Sequence, residues 1–183
     1  MIEIKNLSVK LGDKQVFEAY STDLPDTGVV LIGGESGIGK TTLLRVLSGL
    51  IKPDKGTVTG LEGRKISVVF QEPRLLEHLT AEDNVALTSD RDTAKRLLTE
   101  LNMADELKSK AGNLSGGQKQ RVSLARAFAF SDDVVLLDEP FTGLDEQNKR
   151  KAVELIRTAK LAVVVTHDAQ DAALLHVDRK IQL

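Results

Sequence analysis

The chain has 183 residues, 41% of them hydrophobic, enough to bury a sizeable core within one domain. Its 25 basic and 27 acidic residues leave a net charge of −2, a balance that argues against general nucleic-acid binding, so no nucleic acid is expected as a partner. Cysteine is absent, which excludes disulfides and thiolate metal sites and suits a reducing compartment.

In chain order, MIEIKNLSVK has no long apolar core after a basic start, so no signal peptide is expected. IEIKNLSV (Ile2 to Val9) and KQVFEAYSTDL (Lys14 to Leu24) alternate in part and are expected to pair as antiparallel strands at one side. Val29 to Ile32 read as a strand buried on both faces. It runs into GGESGIGKTT, where Gly34 to Thr41 match G-x-x-x-x-G-K-T between a strand and a helix. Gly37 and Gly39 let backbone N–H groups approach phosphate oxygens, with Glu35, Ser36 and Ile38 completing the loop, and the helix start adds partial positive charge. Lys40 is expected to reach the β- and γ-phosphates, Thr41 to ligate Mg²⁺ through its hydroxyl, and Thr42 to contact the α-phosphate. Leu43, Val46, Leu47 and Leu50 give the following helix its apolar stripe, with Gly49 and Pro53 as stop signals.

A second buried strand, Ser67 to Phe70, leads into Gln71, whose amide could touch Mg²⁺ or the attacking water. From about 72 to 130 no buried-strand pattern recurs, and the stretch reads as a helical lobe inserted into the sheet core. Within it, Thr80 and Asp83 form a helix start. Val134 to Leu137 lead into Asp138 and Glu139: Asp138 is expected to hold Mg²⁺, through water, and Glu139 to orient and deprotonate the attacking water. Ala152, Leu155, Ile156 and Ala159 mark a further helix. Leu161 to Val165 lead into Thr166 and His167, which could donate to the γ-phosphate; His78 and His176 read as structural or exposed. Four apolar strands that each stop at a polar group converge on one crevice, because ligands bind beyond the carboxyl ends of parallel strands.

LSGGQ (Leu114 to Gln118) poses a separate question. Ser115 and Gln118 make an S-x-x-Q capping box for the next helix, and Lys119, Arg121 and Arg126 read mostly as its solvated face. A capping box does not require Gly116-Gly117, each of which costs up to about 1 kcal/mol of helix stability relative to alanine. Two glycines there suit a backbone that must approach an anion. One nucleotide already lies on the first loop, so the second site is expected to serve a nucleotide held by another copy.

The ordered series GESGIGKTT, VVFQEP, LSGGQKQRVSLARA, VVLLDEPFTGLD and VVVTHD resembles the ATP-binding cassette (ABC) ATPases over nearly the whole chain. The resemblance implies an α/β P-loop NTPase core with a mainly parallel sheet, an antiparallel β subdomain and an inserted helical subdomain, all within residues 1–183. It implies ATP and Mg²⁺ as cofactors and a head-to-tail pair of cassettes. Ser115, Gly116, Gly117 and Gln118 of one copy would then face the γ-phosphate held by the other, and Asp145 in TGLD would lie along the interface. It further implies a transporter subunit that hydrolyses ATP, peripheral on the cytoplasmic face of a membrane that a partner chain crosses. RLLEHLTAEDNVAL (Arg74 to Leu87) matches the segment that meets that partner.

Two departures stand out. Leu11 occupies the position of the family's adenine-stacking aromatic, with Leu11 itself or Phe17 as the expected substitute. The sequence stops soon after His167, so no regulatory domain and a weaker free dimer are expected. The alternatives are a non-transport cassette and a nucleotide-gated membrane scaffold.

Overall fold

The computed structural model describes residues 1–183. Five strands form a parallel sheet in the order β5 (Ile66–Val69), β6 (Val134–Asp138), β7 (Leu161–Val165), β3 (Gly28–Gly33) and β8 (Arg179–Gln182). The expected buried strands are all present. Every residue of β6 and β7 is buried, as their unbroken apolar runs require when both faces are covered. Val69 pairs with Leu137, Asp138 with Val165, and Ile32 with Val165, so the carboxyl ends of four neighbouring strands lie level.

The expected antiparallel hairpin is β1 (Ile2–Leu11) with β2 (Lys14–Leu24), and β4 (Lys55–Thr59) joins as a third strand beside β1. Alternate strand residues face opposite sides of the parallel sheet. Val30, Ile32, Val134, Leu136, Leu161, Val163 and Val165 pack toward β1, β2 and α1 (Lys40–Leu47) in a cluster of 18 buried residues. Val29, Val69, Val135, Leu137, Ala162 and Val164 pack on the other side in a cluster of 27. That larger cluster takes in α2 (Ala81–Ala86), α3 (Arg91–Glu100), α4 (Gly116–Phe130) and α5 (Glu146–Ile156); α6 (Ala169–Leu174) precedes β8.

Three details depart from the sequence reading. Helix α1 ends at Leu47, Gly49 takes φ 74°, and Leu50 is 59% exposed rather than part of the apolar stripe. Phe70 lies one residue beyond β5. Arg121 is buried and Arg126 half-buried, so the basic residues of α4 are not a solvated face. Arg126 donates to the carbonyls of Pro73 (2.9 Å) and Arg74 (3.1 Å), clamping the segment after Gln71 onto α4.

Candidate nucleotide site

The loop from Gly34 to Thr41 leaves β3 and opens α1. Gly39 has φ 121°, and a Cβ there would meet Val16 Cγ1 at 2.8 Å and Phe17 Cζ at 2.9 Å. Conformation and close packing against β2 therefore both demand glycine at this turn. Lys40 is buried, its ammonium donating to the carbonyls of Gly34 and Glu35, each at 2.8 Å. It lies folded across the loop, in the place from which a phosphate oxygen can draw it. The orphan N–H groups of the first turn of α1 point into the same space.

A cavity of about 500 Å³ opens at the strand ends. Ser36, Gly37, Gly39, Lys40, Thr41 and Thr42 line it from the loop, and Gln71, Asp138, Glu139 and His167 from β5, β6 and β7. The four polar strand ends do converge. Thr41 Oγ1 donates to Asp138 Oδ2 at 2.7 Å. Burial pushes the Asp138 carboxyl above its ordinary range, the Thr41 hydrogen bond opposes this, and the neighbouring Glu139 charge adds to the rise. Glu35 and Ile38 are exposed parts of the loop outside the cavity lining, and Gly34 lies at its base beside Leu183.

Glu139 sits at φ 50°, a left-handed conformation unusual for a side-chain-bearing residue. Its N–H donates to Val165 O at 2.9 Å, and Gln120 Nε2 donates to its carbonyl at 3.4 Å. The turn aims the carboxylate at the exposed His167, whose Nδ1 meets Glu139 Oε1 at 2.8 Å. That hydrogen bond, with the Glu139 charge behind it, raises the His167 pKa.

The segment Ser115 to Gln118 lies elsewhere. Ser115 caps α4, with Gln118 N donating to Ser115 Oγ at 3.3 Å and Ser115 N to Gln118 Oε1 at 2.8 Å, which is the expected capping box. None of these four residues lines the cavity of its own chain. Gly116 is exposed, and a Cβ there would meet nothing within 4 Å. Asp145 is exposed as the N-cap of α5 and also stands outside the cavity.

Comparison with known proteins decides the family. The family described as ABC transporter matches residues 17–142. The chain belongs to the ABC transporter family. It is 38% identical to "Aliphatic sulfonates import ATP-binding protein SsuB 3" of Rhodococcus jostii (strain RHA1), over 95% of this chain and 68% of that protein. It is 36% identical to "Probable sulfate/thiosulfate import ATP-binding protein CysA" of Chlorella vulgaris, over 100% of this chain and 90% of the other. Among solved structures, the dimeric post-hydrolysis state of the ATP-binding cassette MJ0796, bound to ADP and Pi, superposes with a TM-score of 0.86 at 30% identity. That match covers 100% of this chain and 94% of the other.

This cassette also lines the cavity with Leu11, Lys14 and Val16 from the β1–β2 hairpin. Leu11 is 41% exposed. Phe17, the other expected substitute for the missing aromatic, is buried beneath Gly39 and stacked near Tyr20 at 5.4 Å, outside the cavity. No Phe, Tyr or Trp lines this cavity. Lys14 and Val16 escape a reading by motif. Pairing of Leu11 with Lys14 across the hairpin brings them over the phosphate loop, where Lys14 Nζ donates to Gly37 O at 3.3 Å.

Proposed function

We propose that this chain binds Mg-ATP on the 34–41 loop and hydrolyses it as the motor subunit of a transporter, paired with a second cassette and docked on a membrane-spanning partner. Residues 1–183 act as a single ABC ATPase domain, peripheral on the cytoplasmic face. No helix of the chain is long and apolar enough to cross a membrane. The relatives named for sulfonate and sulfate import support import as the direction.

One observation carries the reading: the chain has two phosphate-suited glycine sites that do not face one cavity. The first lines the cavity, and the second, Ser115 to Gln118, stands outside it with Ser115 and Gly116 exposed. A two-fold pair satisfies both at once, each copy closing the other's nucleotide.

The donor set suits Mg²⁺. Thr41 Oγ1 and Asp138 Oδ2 are already in contact and Gln71 adds an amide oxygen, all hard donors. No cluster of three His, Cys, Asp or Glu side chains could hold a metal alone, which fits an ion that arrives with phosphates and retains water. When bound, Mg²⁺ neutralises charge on the phosphate oxygens. Lys40 leaves the Gly34 and Glu35 carbonyls for the phosphates. Glu139 holds the attacking water and takes its proton, while His167 orients the Glu139 carboxylate and donates toward the γ-phosphate.

Light scattering of the Glu139→Gln protein with and without Mg-ATP tests the shared site, and phosphate release by the wild type tests hydrolysis. An ATP-dependent doubling of mass is expected. A monomer under both conditions, with no phosphate released by the wild type, overturns the reading.

A further inference from the structure

Arg121 is a cation that the nucleotide site does not use. It projects from α4, in the turn after Gly117, and only 9% of it is exposed. Its contacts are neutral acceptors, while the carboxylates of Asp145 and Glu106 act on it only through space. Its Nη1 donates to the carbonyls of Leu101 (2.9 Å) and Asn102 (2.8 Å), and to Asn148 Oδ1 at 3.2 Å. Its Nε has no partner. A desolvated guanidinium held by neutral acceptors alone is a poor device for stability. It is a good one for fixing geometry, since Nη1, held in the guanidinium plane, meets its three acceptors only in one orientation of the side chain.

Asn148 carries the link onward. Its Oδ1 also accepts from Asn102 Nδ2 at 3.1 Å. Its Nδ2 donates to Asp145 Oδ2 at 3.0 Å, and its backbone N–H donates to Asp145 Oδ1 at 2.8 Å. The amide accepts from Arg121 through its oxygen and donates to Asp145 through its nitrogen, so one side chain bridges the two. A second tie joins the same two segments: Gly117 packs on Gly143, so closely that a Cβ on Gly117 would fall under 3.0 Å from the Gly143 carbonyl oxygen. Both ties end at the start of α4 and at the 143–145 loop, the two exposed segments that lie outside the chain's own cavity. The start of α4 contains two glycines, so its backbone needs external restraint to hold a binding shape.

We propose that Arg121 and Asn148 are positioning residues that bind the Ser115–Gln118 helix start to Asp145, so that both segments meet a partner cassette's nucleotide as one rigid unit. This rests on the shared-site reading above. The restraint acts before dimerisation and contributes nothing to the chain's own nucleotide.

The test is Asn148→Ala, which removes the side-chain link and leaves the backbone cap of α5 in place. In the monomer, hydrogen exchange of the 115–118 amides should accelerate roughly tenfold, the scale of one or two lost hydrogen bonds, while residues 161–165 keep their rates. In the Glu139→Gln background, Mg-ATP dimerisation should weaken by a similar factor with monomer affinity for ATP unchanged. Arg121→Lys, which keeps the charge and loses the fork, should behave likewise, whereas Asn102→Gly, compatible with φ 56° there, should leave dimerisation intact. Unchanged exchange at 115–118 overturns the proposal, as does faster exchange with full dimerisation. Acceleration across 161–165 as well assigns the residues to general stability and also overturns it. If the Glu139→Gln parent itself does not dimerise, the shared-site reading fails, and the exchange data still decide whether the link restrains α4.

Discussion

The two glycines of LSGGQ should respond oppositely to alanine. At Gly117 an added Cβ would lie under 3.0 Å from the Gly143 oxygen and 3.1 Å from its carbonyl carbon. Ordinary carbon contacts sit near 3.5 Å or beyond, so α4 and the 143–145 loop must part by more than about 0.5 Å. The obstacle is backbone, and Gly143 is itself fixed at φ 74°, so no side chain can swing aside. Overpacking of this kind costs about 1–3 kcal/mol, offset by up to about 1 kcal/mol of helix propensity. With the full offset the net loss is up to about 2 kcal/mol and lowers Tm by up to about 8 °C in a chain of this size. At Gly116 nothing lies within 4 Å, so Gly116→Ala should leave Tm unchanged or raise it by up to about 4 °C. Its methyl group should nevertheless obstruct ATP-driven dimerisation, because it occupies the exposed surface assigned to the partner's phosphate. Calorimetry of both variants without nucleotide, followed by light scattering with Mg-ATP, reads both effects. Equal Tm values for the two variants would refute the close approach of Gly117 to Gly143.

Other outcomes follow from the cavity. Glu139→Gln should keep ATP binding and slow phosphate release by about 10²–10⁴-fold, the scale of a lost general base; unchanged turnover removes Glu139 from that role. Lys40→Ala should weaken ATP binding in calorimetric titration, and wild-type affinity would contradict the phosphate-loop reading. Chelating divalent ions should abolish turnover and added Mg²⁺ restore it, with Asp138→Asn needing more Mg²⁺ than the wild type. For pH, Glu139 raises the His167 pKa, so the pair favours the protonated imidazole. Its stabilising contribution is complete below the ordinary value of about 6.5 and fades as pH climbs through the raised value. The Tm difference between wild type and His167→Ala should therefore be larger near pH 6 than near pH 9, and a gap that widens with pH would contradict the pairing.

The sheet core was legible because parallel strands covered on both faces leave an unbroken apolar run. Val134 to Leu137 and Leu161 to Val165 could hardly be anything else, and the polar residue after each run marks the crevice. Two of the four edge strands, β4 and β8, were not. β4 is mostly exposed and β8 has four residues with one buried, so neither carries a run or an alternation long enough to register. Leu50 was misplaced because helical spacing continues past the residue where Gly49 turns the chain.

Within the site, legibility depended on what each residue binds. The roles proposed for Gly39, Lys40, Asp138 and Glu139 are toward phosphate, metal and water, whose demands are the same in any protein, so residue type and spacing suffice to suggest them. Arg121, Asn148 and Gly143 serve other parts of the chain, and their types are equally consistent with a solvated helix face or an ordinary turn. Only the approach of Leu101, Asn102 and Asp145 to one guanidinium–amide pair gives them a task. The two classes should also separate in experiment. Residues that serve the ligand affect nucleotide affinity or turnover in an isolated chain. Those that hold one segment against another leave the isolated chain's affinity alone and appear only when two cassettes must close.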